Sequence, residues 1–252
     1  MRILFLFSVL FLFSCSVDEL PPCDGEGQIG EICKEYQYVN GRFNGSNSYE
    51  YNSNGDVSRI ITSKKNGSEE GTALYSYDSL NRCVLISLQD PNGKILSEKI
   101  FEFEDDLLVS ETVIGQQNSN IEFFYDAEDK LMAEKYSNNS GENYIDSLEY
   151  FVGVNKLYRK IRYKGSGVEH IVYYEEFSND MTVERLVNSN GVLQERTVRY
   201  FNGSELKEEL VYNNENLLIQ KTGYHYYQGE LEVILKYNES GTEFERLEYQ
   251  RY

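Results

Sequence analysis

The chain has 252 residues, 42 Asp and Glu against 24 Lys and Arg, a formal net charge of −18 and a pI of about 4.6. A nucleic-acid partner needs a cationic face to displace counterions from phosphate, and no basic run here offers one, so nucleic acid is excluded. With 22 Tyr, 13 Phe, no Trp and only 3 Pro, the composition suits half-wet β-sheet, where a tyrosine ring packs while its hydroxyl stays hydrated.

The first predicted element is an export signal over residues 1–14. Met1-Arg2 leads into an apolar run over residues 3–13, too short for a bilayer, which needs about 20 residues. Its end, Leu12-Phe13-Ser14-Cys15, resembles the lipobox of bacterial lipoproteins. That resemblance implies an acylated Cys15 at the mature N-terminus, anchored in a membrane by its lipid. Each buried methylene would contribute about 0.8 kcal/mol to that anchor.

Residues 15–35 read as the acylated cysteine and a tether: Ser16-Val17-Asp18-Glu19-Leu20-Pro21-Pro22, then Gly25, Gly27 and Gly30. The Asp18-Glu19 pair is similar to a short acidic signal that sends some Bacteroidetes lipoproteins to the outer face of the cell. It implies an outer-membrane lipoprotein displayed at the surface, with a periplasm-facing one as the alternative. Cys23 and Cys33 lie ten apart in an exported stretch, which permits a disulfide. No His sits near them, so a zinc site is not expected. Cys83, in Cys83-Val84-Leu85-Ile86, reads as a small buried hydrophobe.

Residues 36–252 carry one pattern many times. Aromatic pairs at i, i+2 occur as Tyr49/Tyr51, Tyr75/Tyr77, Phe101/Phe103 and Phe123/Tyr125. Looser versions follow at Tyr150/Phe151, Tyr173/Tyr174, Tyr200/Phe201, Tyr224/Tyr226 and Tyr249, at a period of about 25 residues, enough for two strands and two turns. Asn54-Gly55, Asn66-Gly67, Asn92-Gly93, Asn190-Gly191 and Asn202-Gly203 are dipeptides that tolerate the positive φ of tight hairpins. Between turns the sequence alternates: Ile121, Phe123 and Tyr125 share one face, and Ile161 and Tyr163 oppose Lys160 and Arg162. The expected fold is all-β, an extended antiparallel meander of repeated hairpins, with a closed barrel or sandwich as the alternative.

The segment Tyr75-Ser-Tyr77-Asp78-Ser-Leu-Asn81-Arg82 resembles the YD repeat of Rhs-type proteins, as do the stretches from Tyr49 to Val57 and from Phe123 to Leu131. Tyr200-Phe-Asn-Gly203 and Tyr227-Gln-Gly229 also resemble MORN-like hairpin repeats. The whole is similar to small Bacteroidetes repeat lipoproteins, and the resemblance implies the hairpin fold rather than a ligand.

No catalytic constellation stands out. His170 and His225 fall in different repeats, away from any nucleophile setting. Neighbouring carboxylates such as Glu175-Glu176 and Glu208-Glu209 point to opposite faces of a strand, so they cannot form a hydrolase pair by themselves. Asp78-Ser79-Leu80 and Asp146-Ser147-Leu148 resemble the short acceptor of Bacteroidetes O-glycosylation. The expected function is a non-catalytic envelope lipoprotein without cofactors, presenting a β-repeat surface to a protein or glycan. A toxin-system accessory or immunity protein, and more remotely a polysaccharide-acting enzyme, are the alternatives.

Overall fold

The computed structural model describes Cys23 and residues 30–151, 156–178 and 180–252, apart from the side chains of residues 176 and 177. The expected signal, Cys15 and most of the tether lie outside the described residues. Eighteen strands follow in chain order. The first six are β1 (Ile32–Val39), β2 (Arg42–Tyr51), β3 (Val57–Lys64), β4 (Glu69–Tyr77), β5 (Cys83–Gln89) and β6 (Ile95–Glu104). Then come β7 (Leu107–Ile114), β8 (Ser119–Tyr125), β9 (Leu131–Asn138), β10 (Asn143–Tyr150), β11 (Leu157–Lys164) and β12 (Gly167–Ser178). The last are β13 (Met181–Asn188), β14 (Leu193–Asn202), β15 (Glu205–Asn213), β16 (Leu218–Tyr227), β17 (Glu230–Asn238) and β18 (Glu243–Arg251).

Each strand pairs antiparallel with its sequence neighbours, and β18 returns to pair with β1, from Ile32 opposite Arg251 to Val39 opposite Glu245. The hairpin meander is therefore present but closed: an up-and-down barrel without free edges rather than an open sheet. Pairing also starts at Ile32, inside the segment read as tether, because Lys34 and Glu35 face Gln250 and Tyr249.

The turns follow directly from the sequence. In the loop between β4 and β5 the Asp78 carboxylate accepts the backbone N–H groups of Leu80 and Arg82, and Asn81 takes a φ of 63°. Asn52, Asp90, Asp126, Asn138, Asn188, Asn213 and Asn238 repeat the arrangement, each accepting from the residues two and four positions on.

Beside these turns the ladders carry bulges, as between Glu50 and Tyr51, Ser76 and Tyr77, or Glu102 and Phe103. A bulge bends its strand and increases local twist, and the repetition curls the sheet toward closure. The register shows the tilt. Partners run from Tyr49 through Ile60, Ala73 and Leu88 to Ser97. Tyr49 is third from the end of β2, whereas Ser97 is eighth from the end of β6, a fall of five residues over four strands. At about 3.3 Å per residue and about 4.8 Å per strand that is a tilt of about 40°, normal for a closed barrel.

Every close backbone approach between strands is between bonded neighbours, so no strand fills the middle. The buried apolar side chains, Cys33, Tyr36, Leu148, Ile161, Val183 and Val198, are spread over both faces of the wall instead of forming one thick core. Stability comes from many neighbour-to-neighbour terms.

Candidate functional site

One face of the wall points inward, and the side chains identify it. Lys160 on β11 reaches over β10 to Glu134 on β9, with Nζ 2.7 Å from Oε2, a convergence that a concave surface allows. Following the register from Lys160 around the barrel places Tyr174, Arg199, Thr222, Glu245, Glu35, Tyr49, Tyr75, Phe101, Phe123 and Glu134 on this same face. The enclosed lumen is the candidate site. For a round cross-section, 18 strands at that spacing and tilt give a backbone diameter on the order of 35 Å.

From β9 to β3 the lumen carries a ladder of paired charges. Asp146 is 1 % exposed, accepts two 2.8 Å bonds from the Arg162 guanidinium and lies 3.0 Å from Lys160. Burial raises its carboxyl, but the hydrogen bonds and charges of Arg162 and Lys160 outweigh that and hold it below the ordinary value. Burial likewise pulls the Lys160 ammonium down, and Glu134 and Asp146 more than restore it. The Arg162 guanidinium carbon also lies over the Tyr144 ring, 3.7 Å from its centre, and Tyr144 stacks on Tyr136.

Further round, Arg199 bridges Glu184 at 3.1 Å and Glu209 at 2.7 Å, and Lys236 meets Glu245 at 2.7 Å. At the seam between β18 and β2, Tyr249 stands opposite Glu35 in the register, Asn47 donates to Glu35 at 2.9 Å, and Thr62 donates to Asn47 at 2.9 Å. Much of the luminal charge is thus paired, and apart from Asp146 the paired groups stay partly hydrated, with Glu134 and Lys160 each 25 % exposed.

The second feature is aromatic. Tyr249, Tyr49, Tyr75, Phe101 and Phe123 lie on β18, β2, β4, β6 and β8, each third or fourth from the end of its strand. They form an inward arc at one height. Burial first, then Glu35 and the neighbouring Tyr249, Tyr51 and Tyr75, push the Tyr49 phenol above its ordinary range. Other tyrosines near the same strand ends have a different task. Tyr51, Tyr77, Tyr125 and Tyr150 donate their hydroxyls to the carbonyls of Ile32, Val57, Leu108 and Leu131, backbone groups at the rim. The sequence reading treated both aromatics of a pair as sheet packing and missed this division, whose only sequence sign is the tyrosine just before an Asn- or Asp-led turn at Tyr51, Tyr77 and Tyr125; Phe103 has no hydroxyl to give.

The outer wall bears its own ion pairs: Arg59–Glu50, Lys135–Glu122, Arg159–Glu149, Arg185–Glu175, Lys221–Glu208 and Arg246–Glu248. Glu208 and Glu209, neighbours in sequence, serve opposite faces, one bound to Lys221 outside and the other to Arg199 inside.

The residues singled out from sequence are dispersed. Cys23 and Cys33 are disulfide-bonded, with Cα atoms 5.8 Å apart, and the Cys23 sulfur lies 3.1 Å from the Arg251 carbonyl at the closing seam. Cys83 is a free, half-buried thiol whose pKa burial pushes up. His170 faces the lumen opposite Arg162, and burial followed by that guanidinium lowers its pKa. His225 is on the outer face of β16, four strands away. Among the described residues no group of three or more His, Cys, Asp or Glu is placed to hold a metal ion. Ser79 sits in an exposed turn, whereas Ser147 is mid-strand between the buried Asp146 and Leu148.

No protein-family model matches the chain, and no curated protein matches it. Among solved structures, it is similar to a porin-like protein from Bacteroides uniformis at 7 % identity, covering 89 % of this chain and 98 % of the other, with a TM-score of 0.50. A porin-like protein from Bacteroides vulgatus matches at 8 % identity, covering 88 % and 98 %, with a TM-score of 0.43. A TcdB2-TccC3-Cdc42 structure matches at 13 % identity over 83 % of this chain and 16 % of the other, with a TM-score of 0.34. At these identities the likeness to the first of them is one of fold, a closed antiparallel β-barrel.

Proposed function

We propose that the chain is a non-catalytic envelope lipoprotein, anchored through Cys15, whose barrel stands in water beside the membrane and binds a protein or glycan partner. The charged outer wall carries this reading. On a lipid-facing wall the mid-strand cations Lys135, Arg185, Lys221 and Arg246, at about 2–4 kcal/mol each near the bilayer middle, would cost on the order of 10 kcal/mol, and Arg59 and Arg159 nearer a rim would add less. In water the same ion pairs cost nothing of the kind. Gly30 and Tyr252 are hydrogen-bonded to each other at one rim, so a tether from Cys15 would hold that rim toward the membrane and leave the other free.

Fractionation of cells making the wild type or Cys15→Ala tests this. The wild type is expected in the membrane fraction and the variant in the soluble one. A variant that stays membrane-bound through alkaline carbonate extraction would mean the wall itself is inserted, and the proposal would fail. Protease treatment of intact cells then reports the side: shaving supports surface display, and protection supports a periplasm-facing barrel.

A further inference from the structure

The aromatic arc of the lumen has the features of a site for an uncharged glycan chain. We propose that Tyr249, Tyr49, Tyr75, Phe101 and Phe123 form a continuous stacking track for a neutral polysaccharide laid along the inner wall. The proposal rests on the binding-module reading above and names the class of ligand.

Three observations converge on it. The first is spacing. These side chains come from every second strand at nearly constant distance from the strand end, so their backbones are about 12 Å apart given the strand spacing and tilt, and the inward-pointing rings converge to about 9 Å. That interval is close to two sugar units of an extended chain, so alternate pyranoses would meet ring after ring. Stacking of this kind uses the apolar faces of sugar and ring and needs no charge.

The second is what lies beside the rings. Glu35, Asn47 and Thr62 form a chain of hydrogen bonds beside Tyr249 at the start of the arc. Hydroxyl, carboxylate and amide groups held in this way exchange readily between one another and sugar hydroxyls. The third is charge. The luminal cations along the middle of the strands are paired, as in Lys99–Glu111, Lys160–Asp146, Arg199–Glu209 and Lys236–Glu245, while Arg42 and Lys64 stand at exposed strand ends of the far rim, away from the arc. A polyanionic glycan would find no free cation beside the arc and would be repelled by the net charge of −18.

Access is compatible with a polymer. The connections between strands are two to six residues long, so among the described residues no long loop is available to fold across a mouth.

The test is native gel electrophoresis of the detergent-purified mature lipoprotein in gels containing starch, dextran, mixed-linkage β-glucan or xylan, with alginate as the polyanion. At least one neutral polymer is expected to retard the wild type. Tyr75→Leu with Phe101→Leu, which fills the same space without a ring face, is expected to weaken that retardation at least ten-fold. Tyr75→Phe should retain it, and so should Tyr212→Leu on the outer wall. Thermal unfolding of each variant separates loss of binding from loss of fold; if the double variant is unfolded, Phe123→Leu alone takes its place. Retardation by no neutral polymer, by alginate alone, or equal loss in Tyr212→Leu would overturn the proposal. Capture of an envelope polypeptide without any glycan would leave the binding-module reading standing and remove this one. A Cys15→Ala protein that stays membrane-integral would do the reverse.

Discussion

The hydroxyl of Tyr77 donates a 2.7 Å hydrogen bond to the carbonyl of Val57, twenty residues earlier and at the foot of the preceding strand. The next residue, Asp78, gathers two turn amides and binds the Arg82 guanidinium. Two adjacent residues therefore close the rim and set the turn. Tyr51 with Asn52, and Tyr125 with Asp126, repeat the device.

Removing one rim hydroxyl tests its weight. Tyr77→Phe is expected to cost about 1 kcal/mol, the net value of a hydrogen bond whose acceptor regains water at a rim. Tyr51, Tyr77, Tyr125 and Tyr150 cap separate carbonyls, so replacing all four by Phe should cost about 3–4 kcal/mol with near additivity. Urea unfolding with an unchanged denaturant slope is the measurement. A quadruple variant as stable as the wild type would show that these bonds contribute nothing.

Much of this was legible beforehand. The pairs at i, i+2 and the Asn-Gly and Asp-led turns marked the hairpins, and the alternation around Ile161 and Tyr163 placed Lys160 and Arg162 on one face, as found. Closure was harder to read. It depends on β1 meeting β18 across more than 200 residues, and a strand that pairs on both sides has the same local composition as a charged edge strand. The luminal charge ladder was hidden for a related reason. Asp146 and Arg162 are 16 residues apart, and only the β10–β11 register brings them opposite each other. Their one sequence sign is a carboxylate placed between Tyr144 and Leu148 at an inward position.

Asp146→Ala should be among the most damaging single changes. It leaves the Arg162 and Lys160 charges facing an emptied site, and breaking a buried pair typically costs about 3–5 kcal/mol. Because both cations are about one-quarter exposed, the low end of that range is expected. The pH dependence has a definite sign. Asp146 titrates lower folded than unfolded, so its contribution is present above the ordinary value of 3.8 and is lost as pH falls through the folded value. Melting curves from pH 6 to pH 2 should show a shallower acid loss in Asp146→Asn than in the wild type. Parallel curves would argue that other carboxylates govern the acid limit.

At the alkaline end the seam tyrosine acts in the opposite sense. Burial first, then Glu35, push the Tyr249 phenol up to about 12 from 10.0. A raised folded value means stability that is complete below pH 10 and is lost as pH rises toward 12. Tyr249→Phe should flatten that decline. Phenolate absorbance and sheet circular dichroism should change together in the wild type above pH 10. Full ionisation with the sheet intact would show that the luminal tyrosines are open to water.

Arg251 performs at the seam the task that tyrosines perform elsewhere. It donates to the Leu231 carbonyl at 3.0 Å, twenty residues earlier, as Tyr77 does to Val57, and also to the Gly30 carbonyl at 2.6 Å. Hydrogen bonds from a charged donor contribute more than neutral ones, so Arg251→Ala should cost about 2 kcal/mol, more than any single Tyr→Phe change at the rim. Its effect should also be local. In a closed barrel the amides of β1 and β18 are protected from hydrogen exchange as well as those of β9 and β10, because both pairs lie within a continuous ladder. In Arg251→Ala the β1–β18 amides should exchange first while the rest stays protected. If they already exchange fast in the wild type, the sheet opens at its seam in solution, and a lumen enclosed on all sides is no longer available to any ligand.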